Sequence, residues 1–140
     1  MPDEALPTEI ELRVVTPERP VVSERTTAVS LPGKDGRLGI LPGHAPLISE
    51  LANGVLFYDH GGQTKYMAVL EGFAEVLPGR VTVLAQAAEM AEDIDVERAE
   101  RAKRQAEEQL RQHPSDEQTE PQQTALQRSL ARIEAAKQKA

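Results

Sequence analysis

All nine glycines and all four Phe and Tyr residues lie at or before Gly79, while twelve alanines fall between Ala85 and Ala140. Glycine, aromatic and β-branched residues suit turns and strands; Ala with Glu, Arg, Lys and Gln suits helix. The break near residue 88 predicts an α+β chain in two parts. An antiparallel β-sandwich or flattened barrel should occupy residues 1–88, and a helical hairpin residues 89–140. A chain of 140 residues has room for one domain, or a small domain with an appendage. It has little room for a deep cleft backed by several layers.

In the first part the apolar period is close to two. Ile10, Leu12 and Val14 alternate with Glu9, Glu11 and Arg13, the pattern of a strand with one wet face. Further strands are expected at 21–23, 26–31, 37–41, 54–59, 64–71, 73–77 and 80–87. Turn chemistry separates them: Thr16-Pro17-Glu18-Arg19-Pro20, Pro32-Gly33-Lys34-Asp35-Gly36, Asp59-His60-Gly61-Gly62 and Pro78-Gly79. No helix-length segment intervenes, so parallel βαβ units are not expected.

In the second part Asp93 or Asp95 can cap a helix, its carboxylate accepting from free backbone N–H groups. That helix should run from about 95 to 111, with Ala99, Ala102, Ala106 and Leu110 on one stripe. His113-Pro114-Ser115-Asp116 should end it. Pro121 is expected to open a second helix over about 121–138. Its apolar face would be Ala125, Leu126, Ser129, Leu130 and Ile133, with Lys137 near its negative end. The stripe is mostly Ala, and a buried methyl contributes only about 0.8 kcal/mol. The hairpin is therefore expected to be weakly held and mobile.

Composition excludes several functions. The net charge is -7, and each part is acidic on its own, so nucleic acid is not an expected partner. Cys is absent, which removes disulfides and thiolate chemistry. No apolar run approaches the ~20 residues of a bilayer span. The opening Met1-Pro2-Asp3-Glu4 has no character of a secretory signal, so the protein is expected to be soluble and intracellular. His60 and His113 fall in expected turns and read as solvated residues. His44 has no Ser, Cys or carboxylate neighbour in the chain that would make it a catalytic base. No catalytic residues, metal ligands or required cofactor are assigned.

The stretch Gly36-Arg37-Leu38-Gly39-Ile40-Leu41-Pro42-Gly43-His44-Ala45-Pro46-Leu47 resembles the signature loop of the epsilon subunit of F-type (bacterial) ATP synthases. Three other stretches agree in order and spacing: Val14-Val15-Thr16-Pro17, then Glu71-Gly72-Phe73-Ala74-Glu75-Val76-Leu77-Pro78, then Ala88-Glu89-Met90-Ala91-Glu92-Asp93-Ile94-Asp95-Val96-Glu97-Arg98-Ala99. The likeness covers about residues 8–111 well and 112–140 in outline. It implies a non-catalytic subunit of the rotating central stalk, coupling proton flow to ATP synthesis. The sandwich would bind the gamma subunit and the c-subunit ring. The hairpin would lie folded, or extend toward the alpha and beta subunits and inhibit ATP hydrolysis. The protein would sit on the cytoplasmic face of the inner membrane, peripheral and held there only through the complex. Leu38, Gly39, Ile40, Pro42, Gly43, His44, Ala45 and Pro46 would then belong to the surface facing the ring.

The resemblance also implies a regulatory ATP site. The family's ATP-contacting pattern matches Ile94, Asp95, Arg98 and Ala99, with Glu89 upstream and Arg128 and Arg132 one turn apart on the second helix. Guanidinium forks suit phosphates, and carboxylates can accept from an adenine amino group or ribose hydroxyls. Asp95 reads equally as a helix cap, and the two roles are compatible. Two departures stand out. Gln105 occupies a position where the family has another Arg, and Glu71 stands where it usually has Gly, so the Glu71 side chain should point outward or to a partner. A stand-alone ATP-sensing module is the alternative reading, and a small enzyme using His44 ranks last.

Overall fold

The computed structural model describes residues 6–112 and 116–138. Eight strands come first: β1 (Ile10–Val15), β2 (Pro20–Thr26), β3 (Val29–Gly33), β4 (Gly36–Ile40), β5 (Leu47–Leu51), β6 (Gly54–His60), β7 (Gln63–Leu77) and β8 (Arg80–Met90). A single 3-10 turn, Ala91–Asp93, leads into α1 (Val96–Gln112) and α2 (Asp116–Lys137). The order across the sheet is β2-β1-β8-β7-β5-β3-β4, with β6 joining β3 to β7. The expected β-sandwich followed by two helices is the observed architecture.

The fold turns on β7, which is 15 residues long. Its first half pairs with β6 and its second half with β5, while β8 runs along both. One strand thus serves both layers, and it bends at Glu71-Gly72. A Cβ on Gly72 would lie 2.0 Å from the Leu84 carbonyl oxygen, so only glycine fits there. Glu71 takes φ +50, and its N–H leaves the ladder to donate to Asn53 Oδ1 at 2.8 Å. Two strands expected at 64–71 and 73–77 are therefore one bent strand. The helix-free region also holds β5, a strand that the sequence pattern did not suggest. It carries Ile48 outward, and its single fully buried residue is Leu51, too weak an alternation to read.

The core follows the period of two. Ile10, Leu12 and Val14 on β1 are buried, as are Val81 and Val83 on β8 and Met67, Val69 and Val76 on β7. Tyr58 is buried among them; burial first, then the Glu24 carboxylate, push its hydroxyl well above the ordinary tyrosine range. Pairing is antiparallel except between β1 and β8, which run parallel. The whole sandwich separates these two strands in sequence, and that long connection frees their relative direction. The β6–β7 turn places Gly61 and Gly62 both at positive φ, as a tight hairpin turn of this kind requires.

α2 begins at Asp116, five residues before the expected start, so Pro121 lies inside it. Within the first turns the missing N–H forfeits one bond, to the carbonyl of residue 117, and the helix continues. The seam of the hairpin also differs in detail. Ala99 and Ala106 are buried, but Ala102 faces solvent. On α2, Ser129, Ala131, Ile133, Ala135 and Ala136 are buried, whereas Leu130 is exposed. The expected turn at His113-Pro114-Ser115 lies outside the described residues.

Gly72→Ala is expected to lower stability by at least the about 1–3 kcal/mol typical of overpacking, because its clash is with backbone. Denaturant titration of the full chain checks this; a loss below ~0.5 kcal/mol would show that β7 bends by other means.

Candidate functional site

α2 packs on β6 and β7 and against α1, so the hairpin is folded onto the sandwich. The apolar part of this seat is small. Ala135 and Ala136 meet Val55, Ala68 and Ile94, with Tyr66 at the edge. Two ion pairs supplement it. Arg132 Nε donates to Glu89 Oε1 on β8 at 2.5 Å, and Arg128 donates through Nε (3.1 Å) and Nη2 to Glu71 Oε1 on β7. All four side chains are partly exposed.

Beside this seat lies an open cavity of about 700 Å³ between the β1–β2 turn, the end of β8 and the start of α1. Glu89, Asp95, Arg98, Ala99 and Arg132 line it. Asp95 sits just before α1, and its Oδ1 accepts from the Arg98 N–H at 3.0 Å while its carbonyl accepts from Ala99 N–H at 3.0 Å. It is the N-cap of α1, and capping leaves the second carboxylate oxygen directed to other partners. Of the seven residues marked for this site in the sequence, five meet around the cavity. Ile94 does not line it; its side chain is buried under α2, where it helps seat the hairpin. Arg128 does not line it either, because it reaches to Glu71 on β7.

Arg19 also lines the cavity and was not legible as a site residue. Its segment reads as a strand breaker, and the structure shows a closed turn: Thr16 N–H donates to the Arg19 carbonyl at 3.0 Å, and Arg19 N–H to Thr16 Oγ1 at 3.3 Å. The wall thus carries Arg19, Arg98 and Arg132 against Glu18, Glu89, Asp93 and Asp95. Such a mixed wall can take an anion at one part and hydroxyl or amino donors at another.

The second expected surface, residues 38–46, joins β4 to the segment before β5. Ile40 is buried in the core and Leu38 packs against it, so these two hold the loop rather than present it. Gly43 takes φ +87, and its N–H donates to the Pro78 carbonyl at 2.8 Å, tying the loop to the β7–β8 turn. Gly39 lies in β4 with open space around it and no positive φ. His44 Nδ1 lies 2.7 Å from the Ala45 carbonyl. Ala45 and Pro46 are exposed and Pro42 half-buried. Leu41 and Leu6, exposed apolar residues, lie at this same end of the sandwich.

Residues 9–91 match the family model for the ATP synthase delta/epsilon chain beta-sandwich domain, and residues 92–137 that for its long alpha-helix domain. The chain belongs to the ATP synthase delta/epsilon family. It is a non-catalytic subunit of that complex, as the sequence reading expected. An ATP synthase epsilon chain of Nitratidesulfovibrio vulgaris (strain DP4) is 47% identical over 124 residues, covering 89% of this chain and 92% of that one. The epsilon chain of Herpetosiphon aurantiacus is 46% identical over 128 residues, 91% and 94% of the two chains. Among solved structures, a chain in the cryo-EM structure of the Euglena gracilis mitochondrial ATP synthase OSCP/F1/c-ring, rotational state 1, superposes with TM-score 0.83. It shares 27% identity and covers 96% of this chain and 84% of that one. A chain of the Tetrahymena thermophila mitochondrial ATP synthase central stalk/c-ring shares the fold at TM-score 0.52 and 10% identity.

Asp95→Ala is expected to cost about 1 kcal/mol through loss of the cap, and Asp95→Asn much less. Helix content followed by circular dichroism on heating separates them; equal losses in both would argue that charge, not capping, is the role of Asp95.

Proposed function

We propose that this chain is a rotor subunit of a proton-translocating ATP synthase whose sandwich binds gamma and the c ring and whose hairpin moves. The observation that carries this reading is the way the hairpin is seated. A small cluster, Ala135 and Ala136 against Val55, Ala68 and Ile94, and two partly exposed ion pairs hold a long helix pair on a well-packed sandwich. Half-exposed ion pairs contribute about 0–1 kcal/mol each, so the docked and undocked forms lie close in free energy. A hairpin that leaves can extend toward the alpha and beta subunits and inhibit ATP hydrolysis.

The outer face supports the stalk partners. Val15, Leu84, Phe73 and Glu50 stand in one row across β1, β8, β7 and β5, with Ile48 on the same side. Phe73, Leu84 and Ile48 are more than half exposed, at 57%, 54% and 73%. An apolar row of this kind on a sheet face is suited to burial against another protein, here gamma. At the end of the sandwich, Leu41, Ala45, Pro46 and Leu6 offer a second, smaller apolar surface for the c ring. These faces favour a stalk subunit over a stand-alone ATP sensor. The protein is then peripheral, on the cytoplasmic face of the membrane, through the complex.

The cavity beside Asp95 is the place for a regulatory ATP. Arg98, Arg132 and Arg19 would meet phosphates, while Glu89 and the free oxygen of Asp95 would accept from amino or hydroxyl groups. A ligand that binds only the docked form favours that form.

Two measurements test this. In the assembled enzyme, a chain ending after Ala91 should still assemble and should raise ATP hydrolysis severalfold; unchanged hydrolysis with full assembly would remove the inhibitory role. In calorimetry of the full chain with ATP, Arg98→Ala and Arg132→Ala should each weaken binding about tenfold or more, the worth of a charge-assisted hydrogen bond at about 1.5–3 kcal/mol. No heat up to millimolar ATP would exclude the nucleotide site and leave the stalk assignment standing.

A further inference from the structure

Among the described residues, Glu71 is the one non-glycine residue at positive φ. Positive φ is unfavourable for a side chain of this kind, and glycine would sit there freely. The bend does not need a carboxylate. Gly72 provides the close approach to Leu84, and Asn53 Oδ1 satisfies the Glu71 N–H. The carboxylate at this position is used elsewhere: it takes two donors from Arg128 on α2. One turn along, Arg132 grips Glu89 on the neighbouring strand. Ser129, buried between the two arginines, spends its hydroxyl on the Ala125 carbonyl at 3.0 Å and offers the sandwich nothing.

We infer that Glu71 is a built-in anion that latches α2 to the sandwich through Arg128, so that the hairpin docks without any ligand at that arginine. Arg128 is thereby a positioning residue of the docked state, and the cavity beside Asp95 is left to Arg98, Arg132 and Arg19. Both partners are near 40% exposed, so the latch is screened by salt. Ionic strength then becomes a setting for the hairpin.

The inference rests on the reading of the hairpin as the moving part, but its test does not need the assembled enzyme. Hydrogen exchange of α2 amides in the full chain, at low salt, reports how often the hairpin leaves. Glu71→Gln and Arg128→Gln should each speed α2 exchange about two- to fivefold, the range of a single half-exposed ion pair, and leave β1 and β8 unchanged. The double variant should be no faster than either single one. Exchanging the charges, Glu71→Arg with Arg128→Glu, should restore slow exchange. High salt should speed the native chain toward the single variants and leave those variants nearly unmoved. Unchanged α2 exchange in both single variants, or additive effects in the double variant, would overturn the latch. If the latch holds while truncation fails to raise hydrolysis, the inhibitory reading falls and the latch stands.

Discussion

The close approach of β7 to β8 at Gly72 is the constraint on which the rest of the structure depends. Because no Cβ fits between that residue and the Leu84 carbonyl, β7 can bend there and belong to two layers. Its first half holds β6 and its second half holds β5. On one side of the bend Ala68 packs under α2, and on the other Phe73 stands exposed beside Leu84. The surface for the hairpin and the surface for a partner protein thus flank one backbone bend.

The energetic contrast between the two parts follows from side-chain size. Valine, leucine and isoleucine fill the sandwich, and burying each contributes about 1.5–3 kcal/mol. The α2 side of the hairpin's seat is Ala135, Ala136 and paired charge, set against Val55, Ala68 and Ile94. On the proposed reading, a hairpin held in this way would need only a modest competing interaction to leave, and a ligand of ordinary affinity to stay. The cavity beside the Asp95 cap is lined by both parts, so a ligand there would be sensitive to their separation.

The two-part architecture was legible because composition changes abruptly and the strand period is clear in β1 and β8. Asp95 was legible as a cap because local chemistry fixes it. What escaped was set by distant contacts. The alternation of β5 is blurred because Ile48 faces outward on an apolar surface. The continuity of β7 was hidden by Gly72, which falls between two apolar runs in the sequence and acts as a bend. The pairing of Arg128 with Glu71, 57 residues away, has no local signature, although the odd presence of Glu71 in the resemblance pointed to that position. Arg19 joined the cavity only because the β1–β2 turn folds over the end of β8.

Exchange of the hairpin between a docked and an undocked form in the assembled rotor can be measured as a distance. The chain has no Cys, so one label can be placed at Ser23→Cys on β2 and another at Gln127→Cys on α2, both exposed sites. Single-molecule energy transfer between them, in assembled enzyme with and without ATP, measures the distance directly. An exchanging hairpin should give two populations, with ATP enriching the short one. A single short distance under every condition would show that the hairpin stays docked.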